Sequence, residues 1–212
     1  MADSITAMGS SPIYFPLVPD WSNPPKIGYG ISRDLIQFAG TASILKATAT
    51  VVPLKFELSF ITTNKDDEYD LLGFLHSIRG KNKRFWIEYP IKQFELKNDA
   101  NSGATSLECY NNGFEKISKD NERIFFAMKS GDLIVRKVTD SNYDSSTEVL
   151  TLVIDSALDR DIGASDYFIF GRFLLVRSED DTISQEIETN ELSAWSMKLV
   201  ELPNEYDEEE AS

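Results

Sequence analysis

Apolar and polar residues alternate with a period of two from Leu54 to Phe60, the pattern of a strand with one buried face. An amphipathic helix is predicted to follow, because Asn64 can cap it and acidic residues fill its first turn. Gly80 is placed to end this helix. The apolar residues predicted to form its buried face are Tyr69, Leu71, Leu72, Phe74, Leu75 and Ile78. The helix is therefore expected to lay one face on a sheet.

A second strand, aromatic in character, is predicted from Phe85 to Tyr89, where Pro90 closes it. Beyond Pro90 the pattern changes to short apolar stretches separated by polar turns. The strands predicted there are 105–110, 124–128, 133–138, 149–154, 167–176 and 183–187, with a closing strand at 195–199. Asp140–Ser146 is predicted to be a hairpin loop. The pattern indicates a mainly β protein with one helix.

The two ends of the sequence differ from the rest. Five of the eight prolines lie in the first 25 residues, which predicts an extended arm. Its apolar residues, among them Phe15 and Trp21, indicate that the arm packs on its own domain or on a neighbour. After Pro203 a run of like charges predicts a mobile acidic tail, which aids solubility or docks on a basic partner.

Composition excludes several classes of protein. The 212 residues carry 35 Asp and Glu against 21 Lys and Arg, a formal net charge of -14 that repels nucleic acid. Cys109 is the single cysteine, so no intrachain disulfide can form. We expect no signal peptide and no membrane contact, because no apolar run approaches the ~20 residues of a membrane helix.

The sequence contains few residues or motifs that could form a catalytic, metal-binding or phosphate-binding site. His76 and Cys109 are the only residues of their types, so one chain cannot assemble a zinc site of the usual ligands, and each is expected to have a buried or partly buried structural role. No Gly-rich phosphate loop lies between strand and helix. A pair of glycosidase carboxylates is not excluded by counting. We expect no catalytic residues, no metal and no cofactor.

A basic cluster is the local exception in an acidic chain. It comprises Arg79, Lys81, Lys83 and Arg84. Cations at a helix C-terminus are favoured by the helix dipole, which explains the cluster structurally. Alternatively, these residues contact an acidic neighbour, such as an identical subunit in a ring. With Trp86 they are the candidate subunit-interface residues.

The order of elements carries a resemblance to a known family. The stretches concerned are Lys55 to Tyr89, including the run from Arg79 to Ile87; Lys129 to Val135; Phe170 to Val176; and Trp195 to Leu199. The chain resembles the distal tail proteins of siphophages, especially the form in T5-like phages, and more loosely the lambda-type minor tail proteins.

This resemblance implies two domains: a tail-tube-like β-sandwich or barrel with one helix, at 1–94 and 166–212, and an inserted OB-like β-barrel at 95–165. It implies a structural, non-enzymatic role in the virion, in a tail-tip ring assembled in the host bacterial cytoplasm. The implied partners are further copies of the chain in a hexamer, the tail tube protein, the tail hub or baseplate protein, and the tape measure and side-fibre proteins.

Two other functions remain open from the sequence. A β-sandwich could be a carbohydrate-binding module with an exposed Trp86 or Trp195 as its stacking platform. A glycosidase or other hydrolase would need two carboxylates in one cleft.

Overall fold

The computed structural model describes residues 14–17, 26–29, 33–37, 43–47, 53–89, 92–111, 122–181, 183–187 and 192–202. In these residues the chain is mainly β, with one α-helix and antiparallel strand pairing, as the sequence predicts. Most of the proline-rich arm and the acidic tail lie outside the described residues.

The chain forms two compact units. We call the described residues of Trp86–Leu174 the central unit, and those of Ile13–Phe85 and Leu175–Glu205 the flanking unit. The flanking unit thus comes from two distant parts of the chain. The domain division predicted from the sequence, 1–94 with 166–212 and 95–165, stays a prediction.

The flanking unit contains an antiparallel sheet and a separate hairpin. Its strands are β1 (Lys26–Tyr29), β2 (Arg33–Gln37), β3 (Ser43–Ala47), β4 (Leu54–Thr62), β12 (Ser184–Ile187) and β13 (Ser193–Glu201), with the last part of β11 (Tyr167–Ser178). β4 lies between β1 and β13, while β12 and the end of β11 pair with β13. β2 pairs with β3.

The predicted alternation in β4 is confirmed, because its buried and half-buried residues alternate along the strand up to Phe60. The register with β13 places Trp195 opposite Phe60 and Met197 opposite Leu58, so large apolar side chains share one face of the sheet. This face supplies the core of the flanking unit.

The helix α1 spans Lys65–Ile78, and Asn64 caps it by accepting a hydrogen bond of 2.8 Å from the backbone N–H of Asp67. Its buried residues are Leu71, Phe74 and Ile78. The prediction that Tyr69 and Leu72 belong to the buried face is wrong, since they are 70% and 36% exposed.

Phe15, from the arm, is buried in the flanking unit. Its ring centroid lies 4.4 Å from that of Phe60, 5.1 Å from that of Phe74 and 6.2 Å from that of Phe85. The described part of the arm therefore packs on its own chain.

The central unit is almost entirely β. Its strands are β5 (Phe85–Glu88, from Trp86), β6 (Phe94–Leu96), β7 (Ser106–Asn111), β8 (Arg123–Met128), β9 (Leu133–Asp144), β10 (Val149–Ile154) and the first part of β11. The strand order is β11-β8-β9-β10-β7-β6, and β5 also pairs with β11. The core includes the rings of Phe94, Phe126 and Phe170.

Backbone N–H groups in and next to β6, the last strand in this order, also donate hydrogen bonds to β11, the first strand. The Gln93 N–H donates to the Phe170 carbonyl at 3.1 Å, and the Leu96 N–H donates to the Tyr167 hydroxyl at 3.0 Å. The β6 segment and β11 are thus joined by hydrogen bonds.

The hairpin between β9 and β10 turns later than predicted. Most of the predicted loop Asp140–Ser146 belongs to β9, which runs to Asp144. The Asp144 carboxylate accepts hydrogen bonds from the Ser146 N–H at 2.9 Å and the Thr147 hydroxyl at 2.9 Å, which fixes the turn after residue 144. Glu148 completes it at φ 55°.

Candidate interaction surface

We call residues 79–83, which follow the end of α1 and include Arg79, Lys81 and Lys83, the basic turn. Arg79 adopts the left-handed conformation, with φ 51° and ψ 53°, and its N–H donates to the Leu75 carbonyl at 3.2 Å. Gly80 follows at φ 65°, and the Lys83 N–H returns to the Ile78 carbonyl at 3.1 Å. These bonds satisfy carbonyls that the helix end would leave without a partner. A short 3₁₀ turn, Gly80–Asn82, then leads to β5.

Asp181, from the turn after β11, fixes the basic turn within the flanking unit. The Lys81 N–H donates to Asp181 Oδ1 at 3.1 Å. A Cβ atom on Gly80 would lie only 2.8 Å from the same oxygen. The position therefore requires glycine for both its backbone conformation and its close approach to Asp181.

Arg79, Lys81 and Lys83 are exposed, and among the described residues their side chains form no ion pair. Other lysines of the flanking unit differ: Lys26 Nζ lies 3.6 Å from Glu57 Oε2, and Lys198 Nζ lies 3.6 Å from Asp180 Oδ2. The turn is therefore a local concentration of positive charge.

The exposed side of α1 leads into this turn. Tyr69, Leu72, Gly73 and His76 are exposed and are spaced three or four residues apart, so they lie on one side of the helix. We call these four residues the helix face.

The candidate interface residues predicted from the sequence have different environments. Arg79, Lys81 and Lys83 are exposed in the flanking unit, and Arg84 is half-buried with further contacts. Trp86 belongs to the central unit and is 0% exposed. The subunit-interface role of these residues stays a prediction. The helix face was missed, although a spacing of three and four residues would have indicated it.

Neither tryptophan proposed as a sugar platform is open to solvent. The Trp86 ring stacks on Phe173 with centroids 5.5 Å apart and planes at 2°, and the Arg123 guanidinium lies 4.3 Å from its centroid. Trp195 is 5% exposed, and its Nε1–H donates to Thr62 Oγ1 at 3.3 Å. Each indole is held in the interior of its own unit.

A polar cluster lies on β11 of the central unit. Arg172 Nη2 lies 3.1 Å from Glu122 Oε1, and the Arg172 N–H donates to Gln93 Oε1 at 2.7 Å. Gln93 is 1% exposed and Glu122 is 9% exposed. Nothing in the sequence pattern indicated this cluster, because its residues come from three separate segments.

Cys109 and His76 belong to different units. Cys109 is fully buried, its thiol donates to the Leu150 carbonyl at 3.4 Å, and burial raises its pKa to about 12. The predicted burial of the cysteine is confirmed. His76 is exposed, so the expectation of a buried or partly buried histidine is wrong.

Among the residues that the structure describes, no group of His, Cys, Asp and Glu could hold a metal ion. No helix in the same residues is long and apolar enough to cross a membrane. In comparisons with known proteins, the chain matches no protein-family model and no curated protein.

Proposed function

We propose that this chain is a structural component of a bacteriophage tail tip, where copies of it form a ring that joins the tail tube to the hub or baseplate. The observation that carries the proposal is the composition of the flanking unit. Its two parts precede and follow the central unit in the sequence. The flanking unit contains one α-helix in addition to its sheet. The same arrangement follows from the resemblance to distal tail proteins.

The finer architecture is part of the proposal. We take the flanking unit as the tail-tube-like domain and the central unit as a closed, OB-like barrel. Closure is supported by the hydrogen bonds from Gln93 and Leu96 to β11, because β6 and β11 stand at opposite ends of the strand order.

Ring formation would use the edges of the flanking sheet. Among the described residues, β1 pairs only with β4 and β12 only with β13, so each leaves one edge open. An exposed edge favours pairing with another chain, and a closed ring removes the edges. The exposed cations of the basic turn add an electrostatic contact to an acidic neighbour.

The proposed role is assembly in the virion, after folding in the host bacterial cytoplasm, without catalysis. The tail tube protein would contact one side of the ring and the hub the other. Tape measure and side-fibre proteins are further proposed partners, and loops of the central unit are suited to the latter because loops tolerate variation.

The test is the oligomeric state of the purified full chain. We expect native mass spectrometry and sedimentation velocity to detect a discrete oligomer, a hexamer in this proposal, and electron microscopy to detect rings with a central opening. A chain that remains monomeric at high concentration and forms no ring contradicts the proposal.

A further inference from the structure

The helix face and the basic turn follow each other along the chain, so exposed apolar residues precede exposed cations. Tyr69 and Leu72 provide exposed apolar area, and Lys81 and Lys83 follow beyond the end of the helix. A complementary ligand would therefore carry an apolar group followed by negative charges.

The sequence contains a segment with this pattern. After Leu202 the chain continues as Pro-Asn-Glu, then Tyr206, and then four consecutive carboxylates, Asp207–Glu210. The aromatic group and the carboxylates thus have the same order along the chain as the apolar residues of the helix face and the cations of the basic turn.

We infer that the acidic segment Tyr206–Glu210 of one copy binds the helix face and basic turn of a neighbouring copy. Tyr206 packs beside Tyr69 and Leu72, and the carboxylates face Lys81 and Lys83. This inference rests on the proposed ring, for which it names one subunit contact.

Charge and chain length both support this occupant. The three exposed cations of the basic turn have no ion pair among the described residues, in a chain of formal net charge -14. The Asp181 carboxylate, which contacts the basic turn, accepts a hydrogen bond from the Lys81 backbone N–H and forms no ion pair with its cations. Residues 203–212 have a maximum reach of ~33 Å beyond Leu202.

The contact is directional, because the two surfaces that meet are different. A contact of this kind is heterologous, and repetition of it around an axis closes a ring. Both surfaces are exposed or outside the described fold, so they can be changed without removing a core residue.

The experiment compares three double variants of the full chain by sedimentation velocity at several concentrations. The first, K81E/K83E, reverses the basic turn. The second, E209K/E210K, reverses part of the acidic segment. The control, K129E/R177E, makes the same charge change at exposed cations outside α1 and the basic turn that also lack an ion pair among the described residues. Circular dichroism checks that each variant is folded.

We expect K81E/K83E and E209K/E210K each to weaken self-association by about tenfold or more, because like charges then face each other. The control should associate like the unchanged chain. Mixing the first two variants should restore pairing between them, since each carries the complement of the other.

A second measurement identifies the chain that supplies the segment. Carbodiimide cross-linking of a mixture of ¹⁴N and ¹⁵N copies should join Lys81 or Lys83 of one isotope to an acidic-segment residue of the other. Cross-links confined to copies of one isotope would overturn the inference, as the segment would then bind its own chain. Unchanged association of both test variants would also overturn it and leave the ring standing. A monomeric unchanged chain would instead remove the proposed function.

Discussion

At the residue scale, the environment of Trp86 distinguishes a core residue from a binding residue. Its ring is fully buried, stacks on Phe173 and lies 4.3 Å from the Arg123 guanidinium. Trp86→Ala removes this packing and should reduce the free energy of unfolding by ~3–5 kcal/mol. Phe168→Ala is the matched control, because Phe168 is 65% exposed in the same unit, and it should change stability by ~0.5 kcal/mol or less.

Urea denaturation followed by circular dichroism measures both variants. Equal and small effects would show that Trp86 contributes little to the core and is available to a ligand. A large difference between them fits the buried stack.

The Cys109 thiol is predicted to be unreactive in the folded chain. Burial raises its pKa to about 12, so almost no thiolate exists at pH 8, and its sulfur is fully buried. A thiol reagent such as DTNB should label the native protein far more slowly than the urea-unfolded protein, which supplies the control. Rapid labelling of the native chain at pH 8 would be incompatible with this environment.

At the element scale, the end of α1 can be tested by replacing Gly80, which follows the helix, and comparing it with Gly73, which lies inside the helix. Gly80→Ala places a Cβ at 2.8 Å from Asp181 Oδ1 and forces alanine to φ 65°, so stability should fall by at least ~1–2 kcal/mol. Gly73→Ala is the control: it lies within α1, a Cβ there meets nothing within 4 Å, and helix propensity should add ~0.5–1 kcal/mol.

Thermal unfolding of the two alanine variants gives the comparison directly. The predicted signs are opposite, so a common effect of glycine replacement cannot produce them. If Gly80→Ala were as stable as the unchanged chain, the basic turn would not have the left-handed backbone described.

The helix itself could be predicted from the sequence, but its buried face could not be read from three-residue spacing. At 3.6 residues per turn, each step of three falls about 60° short of a full turn. Tyr69 and Ile78, three such steps apart, therefore lie on opposite sides of α1. Leu71, Phe74 and Ile78, spaced by three and four, form the face that is buried.

The strands were predicted best where one face is buried. β4 and β13 alternate clearly, and their cores agree with the sequence pattern. The second half of β9 has mostly exposed side chains, so no apolar alternation marks it, and its extension to Asp144 was missed. β6, with three residues, is too short to carry a period.

The candidate surface was predicted only in part, for a similar reason. Charge is visible in a sequence, so Arg79, Lys81 and Lys83 could be identified as a basic cluster. Burial of Trp86 depends on Phe173 and Arg123, which are distant in sequence and carry no local signal.

At the scale of the whole molecule, net charge governs how the chain behaves in acid. The pI calculated from the sequence is about 4.5, so near pH 4.5 the net negative charge, and with it the non-specific repulsion between molecules, disappears. Folding should still be intact there. Hydrogen bonds from Arg160 and from Ser146 lower the pKa of Asp132 and of Asp144, respectively, below the usual value for aspartate.

A carboxyl group with a lowered folded-state pKa contributes stability above its unfolded-state pKa, ~3.9 for Asp, and loses it as the pH falls through the folded value. Both groups are exposed, so each contribution is small. We therefore expect turbidity to peak near pH 4.5 while the near-ultraviolet circular dichroism of dilute protein is unchanged, with unfolding only below about pH 4. Loss of the aromatic signal before turbidity appears would mean that acid unfolds the chain first, and that neutralisation of its surface is not the cause of association.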